Sequence, residues 1–195
     1  MRRDESGFTL IELLISAGIL ALVIGPLTAA ITVGLRNTDQ ITSRLALSHD
    51  SQTASAYFYT DVQSADSVST TDTTDCPVTT QTLILALGSS PRSSNPASET
   101  EATVYVCYEV NPAASAGDET QLTRQVWQSG SLISSAVVAH NLDASQPQPA
   151  SVTCSLSACD GQPETVTLAV QEVQITHGTP QVYSFTLQAS RRTTP

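Results

Sequence analysis

Apolar residues crowd one end of this chain. The segment SGFTLIELLISAGILALVIG, Ser6 to Gly25, carries one charge, Glu12, and from Leu13 an uncharged run continues to Leu35, where Arg36 ends it. As a helix, the run from Leu13 to Leu35 rises about 34 Å, enough to cross a hydrocarbon core of about 30 Å. It is too long for the apolar region of an ordinary secretory signal, and no A-x-A-like site follows it. Beyond Arg36 the pattern narrows. Ala54, Phe58, Val62 and Ala65 recur at helical spacing, a thin apolar stripe with polar flanks. One helix is therefore expected over 8–66, with 13–35 spanning a membrane and the second half docking on a domain. Pro26, preceded by Gly25, predicts a kink or local melting in the first half.

The helical period stops near residue 66, and 67–195 reads as a β-rich globular domain. After the polar connector SVSTTDTTDCPVTT come short runs rich in β-branched and aromatic residues: Thr82–Leu87, Thr103–Val110, Leu122–Gln128, Leu132–Ala139, Thr165–Thr176 and Val182–Ala189. Loops rich in Pro, Gly and Ser separate them, so an antiparallel sheet is expected and the fold class is α+β. In TVYVCYEV, Val104, Val106 and Tyr108 alternate with Tyr105, Cys107 and Glu109, so one face is buried and neither is very polar. Ser129-Gly130 marks a hairpin turn. Trp127, the only tryptophan, is expected in the core or against that hairpin rather than as a ligand platform. There is no internal repeat.

Charge and cysteine content narrow the compartment and the partners. Eight arginines, no lysine and 18 acidic residues give a formal charge of −10. Such a surface repels phosphate backbones, so no direct nucleic-acid binding is expected. Cys76, Cys107, Cys154 and Cys159 all follow the apolar run. An even count in an oxidising compartment reads as two disulfides, and four cysteines allow three pairings. Cys154-Ser-Leu-Ser-Ala-Cys159 is a short loop flanked by turn formers, so local closure is expected, which leaves Cys76 with Cys107. A thiolate metal site would need C-x2-C spacing and usually a nearby histidine. His49, His140 and His177 adjoin no cysteine, so neither metal nor cofactor is expected. No G-x-S-x-G elbow, H-E-x-x-H, phosphate-cradling glycine loop or catalytic cysteine context occurs, and the chain reads as a non-enzyme. Asp118-Glu119 and Asp160-Gly161 lack the alternating oxygen spacing of a calcium loop and read as solvated turns.

A plain anchor does not explain Glu12. A carboxylate well inside a span costs about 2.5 to 3.5 kcal/mol on insertion scales, and an anchor gains nothing from it. Arg2 and Arg3 in front, with only Arg36 behind and Asp39 near it, favour a cytoplasmic N-terminus and an exported remainder. The string Gly7-Phe8-Thr9-Leu10-Ile11-Glu12-Leu13-Leu14 resembles the processing motif of type IV prepilins and type II secretion pseudopilins. The resemblance implies a leader at 1–7, cleavage after Gly7 by a membrane-embedded prepilin peptidase and methyltransferase, N-methylation of Phe8, and a role for Glu12 in filament assembly. The physics accords with that role. Cleavage creates an amine at Phe8, which the Glu12 of a neighbouring subunit can neutralise within a packed helical core, where an unpaired charge is expensive.

The same resemblance implies other pilin or pseudopilin subunits as partners. It places the chain first in the cytoplasmic membrane, as a single span with its N-terminus inside, and then in an extracytoplasmic or cell-surface filament. Pilins commonly carry a proline in this helix, usually a few residues further along than Pro26. A finer likeness is to J-type minor pseudopilins and W-type minor pilins. It rests on D-x-x-x-A at Asp61–Ala65, the strand TLILAL, then VYVCYEV with Tyr105 and Tyr108, and L-x-R at Leu122–Arg124. The function so implied is a minor pilin or pseudopilin, a structural subunit of a type IV pilus or a type II secretion-like filament. The alternatives are a DNA-uptake or adhesive minor pilin that binds a ligand through its loops, and an exported enzyme on a pilin-like anchor.

Overall fold

A computed structural model describes residues 9–192, apart from 72, 79, 91–102, 114, 116–118, 156–158, 160–161 and 177; side chains 36, 39 and 40 are also outside the description. The chain divides into two units, 1–44 and 45–195. One helix, α1 (Leu10–Ser64), supplies the described part of the first unit and the opening of the second. From Leu10 to Leu35 its large apolar side chains are exposed. The helix does not melt at Pro26. Proline removes a single N–H, the one that would meet the Leu22 carbonyl, and Thr28 Oγ1 donates to the Ile24 carbonyl at 2.9 Å in the same turn.

In the second unit the apolar stripe does what its spacing predicts. Ala54, Phe58 and Val62 are fully buried and Ala65 nearly so. The stripe packs into a core with Leu85, Leu87, Val106, Tyr108, Leu122, Val166 and Leu168. Phe58 meets the Tyr108 ring edge-on, with centroids 6.1 Å apart; burying a side chain of that size contributes about 1.5 to 3 kcal/mol. The helix end is capped from a distance. Arg191 donates from Nε to the Ala65 carbonyl at 3.0 Å and from Nη2 to the Asp66 carbonyl at 2.7 Å. Carbonyls left over at a helix C-terminus favour such a cation.

The fold class is α+β, with the β residues divided between two antiparallel sheets. The first has strands β1 (Ser67–Ser69), β2 (Thr82–Ser89), β3 (Val104–Asn111), β4 (Gln121–Gln128) and β5 (Ser131–Ala139), in chain order. The second holds β6 (Ala150–Cys154), β7 (Thr165–Thr176) and β8 (Thr179–Ser190). Two strands lie where the sequence reads as connector. β1 is only three residues long and pairs with the end of β2, Ser67 opposite Gly88. β6 follows Pro147 and Pro149, residues that argue against a strand. It forms at a sheet edge, where Pro149 needs only to accept, and its carbonyl takes the Gln171 N–H at 2.8 Å. Ser129 and Gly130, at φ 51° and 74°, make the two-residue turn between β4 and β5, the primed geometry that matches strand twist. On β3 both faces are buried from Val106 to Val110. Val106, Tyr108 and Val110 join the helix-facing core, whereas Cys107 joins Cys76 and Ala86 in a second cluster against Tyr105 and Trp127.

Candidate functional site

The head of α1 is built from Thr9 onward. The Thr9 carbonyl accepts from the Glu12 and Leu13 N–H groups at 3.1 and 3.3 Å, which places Glu12 in the first turn. The Glu12 side chain is exposed and meets no described partner. Leu10–Leu35 is long and apolar enough to cross a membrane, with mean hydropathy 2.3 and none of its most apolar stretch buried. Its hydroxyls are turned inward on the backbone. Ser16 donates to the Glu12 carbonyl at 2.8 Å and Thr32 to the Thr28 carbonyl at 2.9 Å. Internal bonding of this kind is what an apolar surrounding demands of polar groups. The arrangement places one exposed carboxylate at the threshold of an unburied apolar helix. Gly7, Phe8, the leader 1–7 and the arginines Arg2 and Arg3 lie outside the described residues, as do Asp118, Asp160 and Gly161.

In the second unit, three residues from distant parts of the chain converge where the helix meets the first sheet. Asp61 accepts two bonds from Arg124, at 2.6 Å from Nε and 2.7 Å from Nη2, and a third from the Tyr108 hydroxyl at 2.7 Å. The Arg124 guanidinium also lies 4.9 Å from the centre of the Tyr57 ring. Its bonds to Asp61 outweigh the opposing effect of burial and raise its pKa further. Burial, then the Asp61 carboxylate, pushes the Tyr108 phenol well above its usual range. A bidentate, buried pair of this kind fixes one docking geometry, since removing either partner strands the other charge. Of the residues in the D-x-x-x-A, tyrosine and L-x-R segments, Asp61, Tyr108 and Arg124 are in direct contact and Leu122 is buried in the same core. Tyr105 belongs to the other face.

A second junction escapes sequence reasoning. Asp50, on α1, accepts the His140 backbone N–H at 2.9 Å and lies 3.1 Å from His140 Nδ1. Glu172 on β7 is almost fully buried, and its Oε1 has no partner. Burial, with Asp50 adding repulsion, raises its pKa to about 8. Glu109 on β3 is fully buried with neither carboxyl oxygen bonded, and burial raises its pKa too. Among the described residues, no group of three His, Cys, Asp or Glu side chains is placed to hold a metal ion.

Cys76 is joined to Cys107, with Cα atoms 5.8 Å apart, and Cys154 to Cys159, with Cα atoms 5.3 Å apart. The first bridge ties the connector after β1 to β3; the second closes a loop at the end of β6. Trp127 packs against the first bridge, and its indole N–H donates to Gln125 Oε1 at 3.0 Å.

A long apolar N-terminal helix with a carboxylate in its first turn, followed by antiparallel sheets on the helix's later turns, defines the class: an α+β protein built around a membrane-anchor-type helix. The family model described as the prokaryotic N-terminal methylation motif matches residues 2–28. That motif is a type IV pilin-like prepilin signal, and it supports a pilin-like or pseudopilin-like role. It implies processing by a prepilin peptidase and assembly with other pilin subunits, and with the apolar helix it fits membrane anchoring followed by a filament. No curated protein and no solved structure matches the chain.

Proposed function

We propose that this chain is a minor pilin or pseudopilin of the J or W type, a structural subunit of a type IV pilus or a type II secretion-like filament. Residues 1–7 are its leader, 8–66 its helix with 13–35 in the membrane, and 67–195 its globular domain. Before assembly it sits in the cytoplasmic membrane with its N-terminus inside. The peptidase cuts after Gly7, the new Phe8 amine is methylated, and Glu12 pairs with the Phe8 amine of an adjacent subunit. The observation that carries this reading is the placement of Glu12, unpartnered in the first turn of an unburied apolar helix. A carboxylate there is costly in lipid and is offset by a cation that a neighbouring subunit brings. The convergence of Asp61, Tyr108 and Arg124 supports the J or W type, because it joins the segments that carry that likeness. As a structural subunit the chain is acted upon and performs no catalysis.

The test is the intact mass of filament-associated protein. It should equal residues 8–195 plus one methyl group, and a Gly7→Ala chain should remain uncut. A Gly7→Ala chain that matures normally would overturn the reading.

A further inference from the structure

A cleft of about 210 Å³ opens beside the β4–β5 turn, lined by Asp75, Pro77, Tyr105, Trp127, Ser129 and Gly130 among others. Its aromatic wall is preset by the sheet. Tyr105 and Trp127 are cross-strand partners on β3 and β4. Opposite Tyr105 on β2 stands Gly88, where a Cβ would come 3.1 Å from Tyr105 Cε1 and 2.6 Å from Ser67 Oγ. The bare glycine leaves that space to the Tyr105 ring. The bond from its indole N–H to Gln125 holds Trp127 in place. The other wall is the connector carrying Asp75, which the Cys76–Cys107 bridge fastens to β3 one residue away.

Asp75 is half-buried, and no described group pairs with its carboxylate. Two aromatic side chains with electron-rich faces and an uncompensated carboxylate therefore share a space the size of one side chain. A guanidinium suits both: it is flat, weakly hydrated, stacks on aromatic faces and bonds carboxylates through a planar fork. A neutral sugar would use the rings but leave the carboxylate without a counter-charge. The formal charge of −10 acts in the same direction, drawing cations to the surface. We propose that this cleft binds an arginine side chain presented by a partner protein.

Trp127 is the only tryptophan, so its emission reports on the cleft in the full-length chain held in a nonionic detergent. N-acetyl-arginine amide should change that emission saturably, and less so at high salt. N-acetyl-citrulline amide, which keeps the shape and loses the charge, should not. Asp75→Asn should weaken the arginine response by about fivefold, with thermal unfolding unchanged as the check on folding. Tyr105→Leu should weaken it as well. The proposal is overturned if arginine leaves the emission unaltered, if citrulline matches arginine, or if Asp75→Asn responds as the wild type does. A response to N-acetylglucosamine alone would assign the cleft to a sugar instead.

Discussion

Between Leu10 and Leu35, α1 presents leucine, isoleucine and valine, and its large apolar side chains are exposed. Between Leu45 and Ser64 it carries far fewer apolar residues, yet Ala54, Phe58 and Val62 are fully buried. Apolar content and burial run in opposite directions along one helix. The later turns face water, so a narrow stripe is enough to direct them onto the sheets, and each stripe position matters through packing. The early turns are suited to hydrocarbon, where burying one more leucine against another helix gains little and a paired charge or close backbone contact decides association. The same secondary structure thus answers to two solvents, and its sensitive positions differ accordingly. In the first half the residue proposed to be sensitive is the polar exception, Glu12; in the second it is the apolar stripe and the ion pair beside it.

The contrast can be broken most sharply at Glu12. Stranding one member of a buried ion pair costs about 3 to 5 kcal/mol, so Glu12→Ala should lower incorporation into filaments by about a hundredfold or more. Membrane insertion and cutting after Gly7 should be retained. Comparing membrane and filament fractions measures both, and wild-type incorporation would show that Glu12 is not an assembly contact. Next in size are substitutions in the second half of the helix. Phe58→Ala should cost about 3 to 5 kcal/mol through lost burial and a cavity. Asp61→Ala should cost a similar amount by stranding Arg124. Leu22→Ala, a comparably large deletion in the first half, should leave the unfolding of the globular domain within about 0.5 kcal/mol. Thermal melts of the three variants in the same detergent make the comparison, and equal losses would erase it.

Smaller effects sharpen the picture inside the globular domain. The Cys76–Cys107 bridge spans 31 residues and the Cys154–Cys159 bridge spans 5. Loop-closure entropy makes the first worth about 3.5 kcal/mol and the second about 2 kcal/mol. Paired serine replacements measured by denaturant unfolding should follow that order, and peptide mapping without reductant should find both bridges in exported protein. The gentlest effect is on pH. Burial, then Asp50, raises the Glu172 pKa to about 8 in the folded chain, against the ordinary 4.5 once unfolded. Between those values the folded state binds the extra proton, so stability falls as pH rises through the window and levels off above it. The slope from one such group is at most about 1.4 kcal/mol per pH unit. Glu172→Gln should remove it, so the variant gains on the wild type from pH 5 to 8. Parallel stability curves would mean that Glu172 does not titrate in this window.

The parts of this chain that were legible in its sequence are those set by local repetition. A continuous apolar run has a length that can be compared with a bilayer, and the stripe at Ala54, Phe58 and Val62 has a helical period, so each announces its role without neighbours. The β4–β5 turn was legible for the same reason, since Ser-Gly is a turn dipeptide and Gly130 takes without cost the positive φ that a two-residue hairpin requires. Trp127 was expected in the core or against the hairpin, yet it lies half-buried against the Cys76–Cys107 bridge; its place beside Asp75 was not legible, because the connector that brings Asp75 there is positioned by that bridge to β3. β1 and β6 were missed because neither has the composition of a strand: one borrows its pairing from the end of β2, the other from β7 at a tolerant edge.

By itself, then, the order of residues determined that a 3.6-residue period would carry an apolar helix into a docked one and that alternating runs would follow as strands. It also determined that a carboxylate would stand at the helix head. The division of strands into two sheets, the bonds from Tyr108 and Arg124 to Asp61 across 47 and 63 residues, the contact of His140 with Asp50 across 90, and the raised pKa of Glu172 were decided only in three dimensions. The physical reason is range. Helix and strand periods arise from neighbours a few positions apart, whereas a buried charge acquires its partner and its pKa from whatever the fold brings within a few ångströms, and no local pattern encodes that.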